Sequence, residues 1–271
     1  MKKIEKTSGL EELSWLDQLR RKRRRLIKKT GKKIIRSIAN EFMAKQSLVG
    51  DHPVFDASQF SWVKTLEDNW LVIRTELDAV LQDKELIPAF HELSPDQTRI
   101  SKGDHWKTFP LWVFRDKCTI NCQRCPQTDA ILEAIPGLQN AWFSILAPGY
   151  HIPAHRGVTK AVLRAQLGLK IPKDRDNCTM RVDDVTFSWQ AGKCVVLDDS
   201  FDHEVHNNTD EERVILFLDI DRPMKVPGRL ASKALLFLLQ RSAYVVDARK
   251  NLQAWEQHYR DHLIKTGQLQ T

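Results

Sequence analysis

The sequence predicts a mainly β protein with flanking helices, its centre an antiparallel sandwich or barrel. Three observations predict it. From about residue 141, short runs of strand-forming residues follow one another over 141–147, 162–171, 178–182, 185–189, 193–197 and 213–220. Turn signals separate them, Asp183-Asp184 and Gln190-Ala191-Gly192 among them, and no helix-length segment intervenes. The 271 residues are 42% hydrophobic and 28% charged, a globular composition that excludes collagen-like, disordered and disulfide-scaffold classes.

The flanks read differently. Residues 1–40 carry 14 Lys/Arg against 4 Asp/Glu, whereas the rest carries 28 against 31, so the net charge of +7 belongs to an N-terminal extension. Its densest part is Arg20-Arg21-Lys22-Arg23-Arg24-Arg25, with Trp15, Leu16, Leu19, Leu26, Ile27, Ile34, Ile35, Ile38 and Phe42 threaded through at helical spacing. The pattern predicts a basic amphipathic helix over 14–43, interrupted near Thr30-Gly31. A solvated charged face, a peripheral contact with an anionic membrane and a phosphate contact with nucleic acid all remain open. Nucleic acid is the weakest reading, because no helix-turn-helix, zinc finger or aromatic sheet motif accompanies the charge.

Residues 41–55 read as a linker. A helix follows over 62–81, where Trp62, Leu66, Trp70, Ile73, Leu77 and Val80 keep a 3.6-residue period. Pro88, Pro95, Gly103 and Pro110 make 84–112 irregular, and a helix over 128–135 stops at Pro136-Gly137. The tail, 228–263, returns to helix. Its apolar run 230–246 is interrupted by Lys233 and Arg241, which suits core packing or an interface rather than a bilayer span. The expected organisation is an extension (1–50), a jelly-roll domain (51–222) and a helical tail (223–271). No apolar stretch follows the basic first residues, so no secretory signal is expected. Five cysteines point to reduced thiols in the cytoplasm, with a peripheral place on the inner face of a membrane if the basic helix meets lipid.

The chemistry concentrates in 144–213. His155 and His203 stand 48 residues apart beside predicted strands, where the loops of a barrel mouth would lie. Two imidazoles with open positions suit non-haem Fe(II), but the usual carboxylate two residues after the first His is replaced by Gly157. Asp199, Asp202 and Glu204 could ligate instead or orient the His203 N–H. Cys118-x3-Cys122-x2-Cys125 has the spacing of a cluster-binding motif, yet nothing around it reads as repeated βα units, which favours structural cysteines.

The block resembles the aspartyl/asparaginyl β-hydroxylase family of Fe(II)- and 2-oxoglutarate-dependent oxygenases. The resemblance rests on Phe143-Ser144-Ile145-Leu146 with Pro148-Gly149, His155-x-Gly157, Leu163-Arg164-x-x-Leu167-Gly168-Leu169-x-Ile171-Pro172, Arg181-Val182, Trp189 with Gly192, Asp198-Asp199-Ser200-Phe201-x-His203-Glu204-Val205, and Arg213. It covers roughly 55–222. It implies a double-stranded β-helix (jelly roll) in which His155 and His203 hold catalytic Fe(II) and Gly157 leaves the third protein position to water. Arg213 would grip the distal carboxylate of 2-oxoglutarate, with Ser144 as hydroxyl donor; Arg164 would serve the end nearer the metal, and Gln166 would also bind the cosubstrate. An always-charged planar fork suits a carboxylate as Lys does not. Two positions depart from the family: Gln166 stands where His is usual, and His206 where Trp is usual.

The resemblance further implies hydroxylation of a C–H bond with release of succinate and CO₂. The substrate would be a peptide Asp/Asn, an amino-acid derivative or, as in a relative that modifies lipid A, a lipid acyl chain. Gly157 also admits halogenation as an alternative. A non-catalytic jelly-roll binding module and a basic-helix membrane or nucleic-acid adaptor are the competing classes.

Overall fold

In the computed structural model, which describes residues 34–268, two antiparallel sheets face each other. The strands are β1 (Val54–Phe55), β2 (Trp106–Val113), β3 (Asp116–Lys117), β4 (Leu138–Leu146), β5 (His151–His155), β6 (Val162–Lys170), β7 (Cys178–Val182), β8 (Val185–Ser188), β9 (Cys194–Leu197), β10 (His203–Asn207) and β11 (Arg213–Asp221). The larger sheet runs β1-β9-β6-β11-β4-β2-β3 and the smaller β5-β10-β7-β8.

The central strand β11 shows why its sequence is almost unbroken apolar: both of its faces are covered. Val214, Leu216, Leu218 and Ile220 pack with Phe109, Phe143, Leu66 and Leu77 under the helices. Ile215 and Phe217, on the alternate face, meet Met180, Val182, Trp189 and Val205 of the smaller sheet. The second face is the barrel interior. The polar ends of the same strand, Arg213 and Asp219, share its parity and are both buried.

Helices cover the outer face. A π-helical turn (Ile35–Ala39) leads into α1 (Asn40–Gln46), followed by α2 (Ser61–Asp68), α3 (Trp70–Val80), α4 (Thr119–Arg124), α5 (Pro126–Glu133), α6 (Val226–Gln240) and α7 (Ala243–Lys265). The stretch expected as a 41–55 linker therefore begins as helix and ends as an edge strand, β1, paired with β9. The 62–81 helix is two helices, broken at Asn69 (φ −107°, ψ 8°), whose side chain donates to the Thr65 carbonyl at 2.8 Å. The tail is part of the main core: on α7, Tyr259 and Leu263 are fully buried against Phe109 and its neighbours. Residues 1–33, and with them positions 14–33 of the predicted basic helix, including the Arg20–Arg25 run and the Thr30-Gly31 interruption, lie outside the described residues.

Five strands went unpredicted: the two-residue edge strands β1 and β3, and three longer ones. β2 lies in the stretch read as irregular, because Pro110 cannot donate to a ladder; the strand accommodates it with a register shift between Pro110 and Trp112. β5 (His-Ile-Pro-Ala-His) and β10 (His-Glu-Val-His-Asn) are too polar to read as strands. They carry the two histidines, which therefore sit at strand ends rather than in loops. The Asp183-Asp184 turn is present, with Asp183 at φ 54° between β7 and β8. All five cysteines are buried and free, and burial raises the Cys118, Cys122 and Cys125 thiols far above their usual range. Thiolate ligation by that trio is thus opposed by its own environment.

Candidate active site

β5 and β10 pair so that His155 lies opposite His203. Their ring centroids are 4.1 Å apart at an interplanar angle of 52°. Each ring is held in the same way. His155 Nδ1 lies 2.8 Å from the Pro153 carbonyl and His203 Nδ1 3.0 Å from the Phe201 carbonyl. A carbonyl only accepts, so Nδ1 carries the proton in both rings and Nε2 keeps its lone pair. Burial, reinforced by the neighbouring His203, pushes His155 down to about 4; burial pushes His203 to about 4 as well. Both imidazoles are neutral at pH 7, the state a metal ligand requires.

The carboxylate comes from an unexpected direction. Gly157 N donates to the Asp199 carbonyl at 2.7 Å, and a Cβ at 157 would overlap the Asp199 carboxylate itself. Asp199 thus occupies the space that a side chain two residues after His155 would fill. Its pKa rises to about 6, because burial outweighs the attraction of Arg164, whose Nη1 lies 2.7 Å away. Arg164 also donates from Nε to Asp219 at 3.1 Å and stacks on Phe217 at 4.2 Å. The adjacent Asp198 has a different task. Arg222 and Lys160 bind its buried carboxylate, and its Oδ1 accepts from Ser200 N at 2.9 Å, which fixes the loop entering β10.

A cavity of about 390 Å³ opens beside this centre. His155, Gly157, Arg164, Asp199 and Asp219 line one end; Phe90, Trp106, Trp142, Phe217 and, from α7, Val245 and Leu252 form an apolar wall. Trp142 and Phe217 stack at 4.1 Å. Arg36 and Arg156 stand at the rim, joined by a bond from Arg36 Nη2 to the Arg156 carbonyl at 2.8 Å.

The remaining predicted residues lie beyond the cavity lining, on the same interior faces. Arg213 is 2% exposed and stacks on Trp189 at 4.7 Å; its Nε and Nη1 have no partner among the described residues. Burial lowers it to about 10, so it remains charged at neutral pH. Ser144, on the neighbouring β4, accepts from Trp106 Nε1 at 3.0 Å and keeps its own hydroxyl proton to give. Gln166 accepts from Trp189 Nε1 at 2.8 Å. A buried guanidinium with two unpaired N–H groups is costly, by about 1–3 kcal/mol per unsatisfied group. It fits a carboxylate guest.

A second histidine group is kept apart from this centre by geometry. His151, Glu204 and His206 form a two-His, one-carboxylate group, but on the outer face of β5 and β10 and away from the cavity. Strand alternation sends Val205 inward and its neighbours outward, so His206 cannot join His203.

Comparison with known proteins identifies the family. The sequence profile described as aspartyl/asparaginyl β-hydroxylase matches residues 67–223. The chain belongs to the aspartyl/asparaginyl β-hydroxylase family. An ornithine lipid ester-linked acyl 2-hydroxylase of Rhizobium tropici is 39% identical over 221 residues, 82% of this chain and 79% of that relative. The human aspartyl/asparaginyl β-hydroxylase is 36% identical over 175 residues, 63% of this chain but 22% of its own length. This chain therefore matches about a fifth of the human protein. Among solved structures, a Pseudomonas putida prolyl-4-hydroxylase aligns at 19% identity over 59% of this chain and 98% of its own, with a TM-score of 0.37, too slight a likeness to carry weight.

For this family member the depressed histidines predict an acid limb of stability. Between pH 6.5 and about 4 the unfolded chain binds protons that His155 and His203 refuse in the fold, so stability falls as pH falls through that window. Asp199 works in the opposite sense between 3.8 and about 6, where the fold holds its proton, and it offsets one of the two histidines. The metal-free protein is expected to lose urea resistance from pH 7 to 4.5. The doubly substituted His155→Ala/His203→Ala protein should show a flatter limb; an equal slope in both would refute the assignment.

Proposed function

We propose that this hydroxylase is an Fe(II)- and 2-oxoglutarate-dependent dioxygenase that hydroxylates a fatty acyl chain of a polar lipid. The observation that carries the reading is a neutral imidazole pair beside a buried carboxylate at the end of an apolar-walled cavity. The Rhizobium relative, matched over most of both chains, supports an acyl substrate.

His155 and His203 would hold iron through Nε2, and the residues present fit it. Their Nδ1–H bonds fix both rings, which spares the metal the entropy of orienting them. Asp199 would lie beside the metal, in the place where other oxygenases carry a ligating acid, and Arg164 holds it there. Arg213 and Ser144 would take the far carboxylate of 2-oxoglutarate. Bound together, iron and 2-oxoglutarate supply the activation of O₂ that the side chains lack, with succinate and CO₂ as by-products. The protein's share is to place one C–H bond near His155 and His203 and keep water from it. Trp142, Phe217, Trp106, Val245 and Leu252 form a wall that suits a methylene chain, while Thr108, Asn140 and Arg156 bring polar groups to the same cavity.

Access to lipid is supported by the surface. α1 and α6 pack together through Met43, Met224 and Leu236, and Gly228 lets Gln46 approach closely. Ile38 on the turn before α1 is 68% exposed, and Leu230 and Leu238 on α6 are 62% and 65% exposed; Ile34, Phe42, Val226 and Phe237 are exposed as well. α6 carries Arg229 and Lys233 and no acidic residue, so the face is both apolar and cationic. Arg36, on the turn leading to α1, reaches the cavity rim. Among the described residues no helix is long and apolar enough to cross a membrane, so this contact would be peripheral.

The test is reconstitution with Fe(II), 2-oxoglutarate and O₂, offering ornithine-lipid micelles and an Asp/Asn-containing peptide in separate reactions. Lipid mass is expected to rise by one oxygen, with one succinate per product. Oxygen transfer to the peptide alone would establish the peptide β-hydroxylase reading instead. Succinate from neither would leave a binding module.

A further inference from the structure

We propose a second metal site on this chain: a divalent transition-metal site, of the zinc class, made by His151, Glu204 and His206 on the outer face of the smaller sheet. The sheet itself builds it. His151 on β5 is paired in register with His206 on β10, and Glu204 lies two residues before His206, so all three project to one side. The imidazole rings stack with centroids 3.9 Å apart and 12° between their planes. Glu204 Oε2 lies 3.2 Å from His151 Nε2 and 3.5 Å from His206 Nε2. A tetrahedral ion with bonds of about 2.0–2.2 Å sets its ligand atoms about 3.3–3.6 Å apart. The three ligand atoms all lie within 4.8 Å of one another, so a modest tilt of the rings lets the lone pairs converge.

The surroundings suit a metal better than they suit the bare group. Two imidazoles and a carboxylate are borderline donors, matched to Zn²⁺ and its neighbours rather than to Ca²⁺ or Mg²⁺. Arg181 Nε binds the other carboxylate oxygen, Glu204 Oε1, at 2.7 Å, and Arg181 Nη2 binds Asp202 at 3.0 Å. That pairing fixes the carboxylate plane and leaves Oε2 for the ion, as an outer partner does in metal sites. The side chains of His151 and His206 are 44% and 35% exposed, so an ion enters from solvent and water completes its shell.

The position gives the site a structural consequence. An ion held by His151 and His206 cross-links β5 to β10, the pair whose other ends carry His155 and His203. The two sites lie on opposite faces of the same pair of strands, and each is expected to fill without the other.

The test uses the full chain and Zn²⁺ alone, followed by calorimetry and thermal melting. Wild type is expected to take two ions per chain, because Zn²⁺ also fills the inner pair. His155→Ala/His203→Ala should keep one ion and still gain several degrees of Tm with zinc. Adding His151→Ala and His206→Ala should remove that ion and that gain, while the zinc-free melt stays unchanged because both side chains are at the surface. Residues 1–33 contain no His or Cys, so they offer no competing soft ligand. The proposal is overturned if the inner-site variant takes no zinc at about 100 μM. It is equally overturned if its zinc persists at full affinity after the outer histidines are removed.

Discussion

Arg213→Met is expected to abolish use of 2-oxoglutarate while leaving the fold as stable as before, or more so. The guanidinium is fully buried, and two of its nitrogens have no partner among the described residues. Replacing a buried charge by an apolar side chain of similar length is often neutral or stabilising. In the loaded enzyme the same group would form a forked pair with a carboxylate, and truncating one partner of such a pair costs about 2–5 kcal/mol. That loss corresponds to a weakening of about thirty-fold to several-thousand-fold. Arg213→Lys is expected to fall nearly as far, because an ammonium supplies a point charge and not a fork. The check is the cosubstrate Kd by calorimetry beside a thermal melt. A variant that binds 2-oxoglutarate normally would remove Arg213 from the site; one that unfolds would show the guanidinium to be structural.

Gly157→Asp is expected to destroy activity, although it restores the acid that two-histidine iron sites usually carry. The reason is steric and electrostatic. A Cβ at 157 overlaps the Asp199 carboxylate, so the new side chain must evict it from Arg164. Two carboxylates would then compete for one buried site, and a buried ion pair broken on one side costs about 3–5 kcal/mol. For a chain of this size, Tm should fall by roughly 6–20 °C. Moving the acid instead of duplicating it separates the causes. Gly157→Asp with Asp199→Gly removes the overlap and should recover most of the lost stability and part of the metal affinity. If Gly157→Asp alone is active and as stable as wild type, Asp199 does not fill the place inferred for it.

What could be read from the chain was whatever depends on local pattern. β7 appears at its predicted bounds, and β4, β6, β8, β9 and β11 within a few residues of theirs, because runs of β-branched and apolar residues need only a face to bury. His155, His203, Arg164 and Arg213 could be named from motif order. Asp199 could be named only as one of three nearby acids, since nothing local separates it from Asp202 or Glu204. The fold separates them: Asp199 turns toward Gly157, Asp202 pairs with Arg181, and Glu204 points to the outer face.

β5 and β10 were illegible because His155 and His203 face each other instead of filling a core, and His151, Glu204 and His206 face outward. β2 was hidden by a proline that only a sheet with a local register shift can absorb. The tail's role was equally invisible: α7 has the pattern of a surface helix, yet its Tyr259 and Leu263 complete the core and its Val245 and Leu252 wall the cavity. By itself the sequence determined the fold class and the family and named candidates for the centre, because these follow from short-range periodicity and motif spacing. Only the tertiary structure decided which carboxylate fills the place opposite Gly157, which histidines share a face and what surrounds the cavity. Those depend on strand register and on which side chains remain when two sheets close on each other, and no local stretch of chain encodes either.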